Sequence, residues 1–376
     1  MNQSNSCVEC TLTIFRVATF GRLATIDLDF RRMPEVRNIA IGFVATLVGL
    51  VAGCNIQEPV DSTVESGGSV VRIDPAFDLL VPINAEVEKV AGGFEFIEGP
   101  VWMPGEPGRL LFSDIPANTV YSWSEDEGSE VYLQPVLSDD SDTGGTGGSN
   151  GLALDAQGRL VLCEHGNRRV ALMEEDGSRT TLADRYNDKR LNSPNDIVFH
   201  STGAGFFTDP PYGLEGQDES AVKEQPQNGI YRLDTDGTVT LLNTGLTRPN
   251  GIGLSPNERI LYVANSDRPR NSLWMSYPVL DDLTLGEGTV FFDAKAMKQP
   301  GIPDGMALDR AGNLYATGPG GVLVFDARGK HLGTITPNEV PSNVGWGDDG
   351  KTLYITAGTS LYRIKLNTNG LGFPAN

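Results

Sequence analysis

The chain has 376 residues, of which 39% are hydrophobic, and 49 acids against 29 bases give a net charge of −20. No Lys/Arg block stands out, so a nucleic-acid partner is excluded on charge grounds, and the apolar content is ample for a core. With 45 Gly and 23 Pro the composition suits many short strands and turns rather than long helices.

The first element is the apolar run 39–53, followed by Cys54. A membrane-spanning helix needs about 20 apolar residues, so the run is too short to span. It fits the apolar region of a signal peptide. The ending Leu50-Val51-Ala52-Gly53-Cys54 resembles a bacterial lipoprotein cleavage box. In that reading Cys54 is lipidated, and the protein is exported and membrane-anchored, facing the periplasm or the cell exterior. Residues 1–54 are then extension and leader. Removal of the leader leaves Cys163 as the one free thiol, so no disulfide is expected. Residues 55–84, with Glu58-Pro59 and Ser66-Gly-Gly-Ser69, read as a flexible tether.

From residue 85 to 370 the signals are all β. Strand-like runs such as Arg109-Leu-Leu-Phe-Ser113, Arg159-Leu-Val-Leu-Cys163 and Thr352-Leu-Tyr-Ile-Thr356 are bounded by Gly, Asp, Asn or Pro turns. One phrase recurs six times: an oxygen-bearing residue leads an apolar strand, a turn follows, and a second strand ends in polar residues. The leading residues are Glu98, Asn150, Asn195, Asn250, Asp304 and Asn343. They lie about 40–55 residues apart, the period of a four-stranded propeller blade. The expected fold is a six-bladed β-propeller of four-stranded antiparallel blades. The last unit supplies three strands, and Glu86-Val-Glu-Lys-Val-Ala-Gly92 is expected to complete it and close the ring. Radial blades would turn the six leading side chains toward one axis.

The stretches Glu98-Gly-Pro-Val-Trp102, Cys163-Glu-His-Gly-Asn-Arg-Arg-Val170, Leu191-Asn-Ser-Pro-Asn-Asp-Ile-Val198, Phe207-Thr-Asp-Pro-Pro-Tyr-Gly213, Arg248-Pro-Asn-Gly251 and Pro303-Asp-Gly-Met306 resemble, in that order, the SMP-30/gluconolactonase/LRE family, and most of all its bacterial gluconolactonase branch. The resemblance implies a divalent cation in the central channel, held by Glu98, Asn195, Asn250 and Asp304, with Asp304 also the general acid/base. Ca²⁺ heads the expectation, with Mg²⁺, Mn²⁺ and Zn²⁺ as alternatives. An all-oxygen donor set independently favours a hard cation. Asn195, Asn150, His165, Arg190 and Tyr212 are the expected substrate contacts. Animal relatives carry a substrate-binding Arg two residues before the Asn that matches Asn195; here that position is Ser193.

The expected activity is therefore metal-dependent opening of a sugar lactone, by a monomer or weak dimer whose one membrane contact is the lipid at Cys54. The alternatives are a non-catalytic exported propeller that binds a partner, or a hydrolase of other esters on the same fold. The glycine-rich stretch Gly144-Gly-Thr-Gly-Gly148 lacks the Lys and following helix of a phosphate loop. It reads as a flexible loop near the channel.

Overall fold

The computed structural model describes residues 66–138, 142–268 and 270–372. Blade I is built from Ile97–Met103, Arg109–Asp114, Thr119–Ser124 and Gly128–Leu133; blade II from Ser149–Leu154, Leu160–Glu164, Arg169–Met173 and Arg179–Ala183; blade III from Ile197–Phe199, Gly205–Asp209, Gly229–Leu233 and Val239–Asn243. Blade IV is Pro249–Leu254, Ile260–Asp267, Asn271–Pro278 and Thr289–Asp293. Blade V is Met306–Leu308, Leu314–Gly318, Gly321–Phe325 and His331–Pro337, and blade VI has Pro341–Gly347, Thr352–Ala357 and Ser360–Lys365. All pairings within blades are antiparallel, as a meander of short hairpins requires. Asp-Gly pairs turn two of the outer hairpins, with Gly177 at φ 82° and Gly237 at φ 85°, where a side chain would be strained.

The ring closes as expected. Glu88–Gly92 pairs antiparallel with Ser360–Lys365 as the fourth strand of blade VI, and Arg363 Nε donates to Glu88 Oε2 at 2.8 Å. This joins the two ends of the propeller and leaves no open edge there.

The expected tether over 55–84 needs correction from Ser66 onward. Gly68–Arg72 pairs with His331–Pro337 as a fifth strand of blade V. A helical turn at Phe77–Leu80 follows, and Phe77 is fully buried against Val322, Val324 and Ile335. Gly333 makes room for it: a Cβ there would stand 2.7 Å from the Phe77 ring. Arg72 donates to the carbonyls of Val81 and Pro82 and lies 5.5 Å from the Phe77 ring centroid. Gly and Ser content obscured the signal, which is only the β-branched pair Val70-Val71, while the alternation appears in burial once the strand is paired. Residues 55–65, the apolar run 39–53 and Cys54 lie outside the described residues. Among the described residues no helix is long and apolar enough to cross a membrane.

The core lies between blades, not within them. Aromatic pairs cross the seams: Phe292 with Phe325 at 4.8 Å, Tyr315 with Trp346 at 5.1 Å, and Trp102 stacked on Tyr354 at 6.0 Å. Each such ring removes a large apolar area from water and fixes the angle between neighbouring blades.

Candidate active site in the central channel

Each leading residue stands where an inner strand begins, beside the next blade. A row of hydroxyls near the ends of the second strands links the blades there. Ser113 donates to Asn150 O at 2.8 Å, Thr208 to Asn250 O at 2.7 Å, and Thr317 to Ser342 O at 2.8 Å. Ser342 in turn donates to Ile97 O at 2.7 Å across the closing seam. These bonds hold the leading backbone groups in register from blade to blade.

The Gly that follows four of the six leading residues has a steric reason. A Cβ on Gly99 would stand 2.2 Å from Asn150 O, and one on Gly251 would stand 2.2 Å from Asp304 O. A Cβ on Gly305 would meet the Asn343 carboxamide at 1.9 Å. The leading residues can therefore crowd one axis only because their neighbours have no side chain.

Glu98 is buried and accepts the Gly99 N–H at 2.9 Å and Asn343 Nδ2 at 3.0 Å. Burial pushes its carboxyl up to about 8; the Asn343 and Gly99 donors work against the shift, and the charge of Asp196 adds to it. Asp304 is half-buried. Burial raises its carboxyl well above the usual carboxylate range, and the charges of Glu98 and then Asp196 add to this. The Asn250 side chain and the Gly305 N–H hydrogen-bond to Asp304 and pull the other way. Asn250 Nδ2 also donates to Ser266 Oγ at 2.9 Å. The carboxamides of Asn150 and Asn195 are held in buried residues yet hydrogen-bond to no other described residue.

The sequence reading missed two residues. Asp196 follows Asn195 where four other leading residues are followed by Gly, and it is the third acid of the cluster. Burial lifts its carboxyl to about 7, opposed by the N–H groups of Ile197 and Ile252 and by Asn343. Asn343, a leading residue to which the sequence assigned no ligand or substrate role, bridges Glu98 and Asp196. The signal for Asp196 was present: an acid occupied the one place in the repeat where glycine is the rule. Both residues line the floor of a cavity of about 240 Å³ at the opposite end of the channel, walled by Val101, Leu152, Val198, Ile252, Met306 and Val344.

The remaining expected contacts divide. Tyr212, in the long loop of blade III, hydrogen-bonds Ser266 and Asn250, and burial followed by the charge of Asp304 raises its phenol, so it stands at the site. His165 follows the second strand of blade II and is 3% exposed; burial lowers its imidazole to about 4. It packs with Ser193 against Gly213, where a Cβ would stand 2.7 Å from His165 Cβ. Arg190 sits on a small rim hairpin and faces Glu224 and Asp142 at 3.9 and 3.8 Å. It makes no hydrogen bond or ion pair with the leading residues.

Ser193 is structural. Its Oγ donates to Pro210 O at 2.6 Å and accepts the Gly213 N–H at 2.9 Å, while Asp209 accepts the N–H groups of Asn192 and Ser193, both at 2.8 Å. The glycine-rich stretch is strapped rather than loose: Thr146 N–H donates to Gly213 O at 2.7 Å, and a Cβ on Gly145 would stand 2.4 Å from Gly166 O. Cys163 is a free, buried thiol that burial pushes up, which makes it inert.

Residues 96–359 match the family model described as SMP-30/Gluconolactonase/LRE-like region. The chain belongs to that family. It is 38% identical over 317 residues to a gluconolactonase of Zymomonas mobilis, a match that covers 81% of this chain and 87% of that one. A pentonolactonase of Haloferax volcanii is 29% identical, over 69% of this chain and 80% of its own length. Among solved structures, a gluconolactonase of Xanthomonas campestris superposes with a TM-score of 0.67 at 32% identity, covering 79% of this chain and 94% of that one. This SMP-30/gluconolactonase-family propeller is thus a lactonase homologue. Among its described residues no group of three or more His, Cys, Asp and Glu forms a metal site. Its channel donors are instead carboxylates mixed with carboxamides, which suit a hard cation that takes oxygen ligands.

Proposed function

We propose that this protein hydrolyses a sugar lactone at the end of the channel where the leading residues stand. The observation that carries the reading is the nearness of the Glu98 and Asp304 charges, with Asn250 hydrogen-bonded to Asp304, in a lactonase-family propeller. Neighbouring acids whose charges repel one another are eased either by protonation or by a cation between them, and an ionised Asp304 fits the second. Glu98, Asp304, Asn195 and Asn250 are the residues that would hold a divalent cation, Ca²⁺ first. When bound, such a cation supplies Lewis-acid polarisation of the lactone carbonyl.

The chain's own groups do the rest. Asp304 takes a proton from the attacking water and returns it to the ring oxygen as the C–O bond breaks, giving the open hydroxy acid. A positioned general base of this kind is worth about 10²–10⁴-fold. Asn250, through its bonds to Asp304 and Ser266, orients the carboxylate. Tyr212 walls the pocket and helps exclude water, and Asn150 and Asn195 offer free amides to substrate hydroxyls. The lipoprotein-type leader ending at Cys54 is part of the same proposal and places the activity outside the cytoplasm.

The test is Asp304→Asn. The variant should retain its fold, judged by circular dichroism and melting, and lose at least about 10²-fold in kcat on gluconolactone. Full activity in a folded variant would end the assignment.

A further inference from the structure

Resting on the cation proposed above, we infer that Ser266 is a positioning residue, which locks the Asn250 carboxamide so that its nitrogen is spent within the protein and its oxygen is left for the cation. The donors and acceptors around one hydroxyl carry this. Ser266 stands near the end of Ile260–Asp267, the second strand of blade IV, and is buried. Its Oγ lies 2.5 Å from Pro303 O. A carbonyl oxygen only accepts, so the one hydroxyl hydrogen of Ser266 goes there. Any other group that bonds Ser266 Oγ must therefore donate to it. The two ends of a carboxamide are told apart only by their hydrogen bonds. The Asn250 atom that meets Ser266 Oγ at 2.9 Å is thus the nitrogen. The Asn250 contacts with Asp304 and Tyr212 both favour the charged form of the acid, as an N–H donor does. The nitrogen is then fully used, while Oδ1 accepts no hydrogen bond from a described residue. An amide oxygen can ligate a hard cation, and an amide N–H cannot.

Ser266 differs from the other hydroxyls that link the blades. Ser113, Thr208 and Thr317 donate across the seams to backbone carbonyls, as Ser266 does to Pro303. Of these four, Ser266 alone also accepts from the side chain of a leading residue. Pro303 directly precedes Asp304. One hydroxyl therefore holds both the carboxamide of blade IV and the backbone that delivers the acid of blade V. Without that anchor the carboxamide is free to turn over and to present its N–H groups where the oxygen is needed.

The experiment titrates chelated protein with Ca²⁺, Mg²⁺ and Mn²⁺ by calorimetry and follows the Kd of the cation that binds tightest, with the melting temperature of the chelated protein measured beside it. Ser266→Ala should raise that Kd by about 10–100-fold. Ser266→Thr, which keeps the hydroxyl, should recover part of the loss. Ser113→Ala breaks a seam bond of the same kind but touches no leading side chain, so it should lower the melting temperature and leave the Kd unchanged. An unchanged Kd in folded Ser266→Ala, or an equal rise in Ser113→Ala, would overturn the inference and leave the lactonase proposal standing. A wild-type protein that binds none of the three cations would overturn both the inference and the cation on which it rests.

Discussion

Removing the cation should make this propeller less stable as pH rises, and Glu98 is the group through which to measure it. Its carboxyl stands at about 8 in the folded protein against an ordinary 4.5. A carboxyl with a raised folded value binds more protons folded than unfolded between those limits. Stability is therefore full below the unfolded value and is lost as pH climbs toward the folded one. Each unit is worth about 1.4 kcal/mol, so Glu98 alone accounts for roughly 4–5 kcal/mol between pH 4.5 and 8 as an upper bound. The carboxyls of Asp196 and Asp209, each lifted to about 7 by burial, act in the same direction. The assay is chemical denaturation of chelated protein at pH 5, 6.5 and 8, repeated with Ca²⁺ and with Glu98→Gln. Chelated wild type should weaken with pH, Ca²⁺ should restore most of the loss at pH 8, and Glu98→Gln should flatten the slope. A chelated protein that gains stability between pH 5 and 8, or a Gln variant with the wild-type slope, would refute the reasoning.

Two further outcomes follow from packing. Phe77→Ala should cost about 3–5 kcal/mol in unfolding free energy, because the ring is fully buried in the cluster shared by blades V and VI; a loss within 0.5 kcal/mol would mean that the N-terminal strand and turn are dispensable. Gly251→Ala should reduce lactonase kcat far more than it lowers the melting temperature, since the added Cβ pushes on Asp304 O; wild-type kcat would show that Asp304 is not held by this contact.

The repeated phrase made the architecture legible because it carries two constraints at once. Alternation and turn residues mark the strands, and the Gly after the leading residue marks where one blade's backbone touches the next. Blade number, ring closure and the positions of Glu98, Asn250 and Asp304 all follow from it. Asp196 escaped because it breaks the phrase instead of repeating it, and Asn343 because its value lies in bridging two acids that are far from it in sequence. The strand Gly68–Arg72 escaped for a compositional reason: flanking Gly, Ser and Pro outweighed the single β-branched pair Val70-Val71, and the pairing partner lies far off at His331–Pro337. The hydroxyls of Ser113, Thr208 and Thr317 were visible as strand ends, but their acceptors sit on neighbouring blades and no local pattern points to them.

The account stands or falls on the rate of lactone hydrolysis by the purified protein, followed by proton release on gluconolactone before chelation, after chelation and after addition of Ca²⁺. It predicts turnover, loss of at least about 10²-fold on chelation, and recovery with the cation while Asp304→Asn stays inactive throughout. Undiminished turnover in the chelated protein, or no turnover in any state, would contradict it.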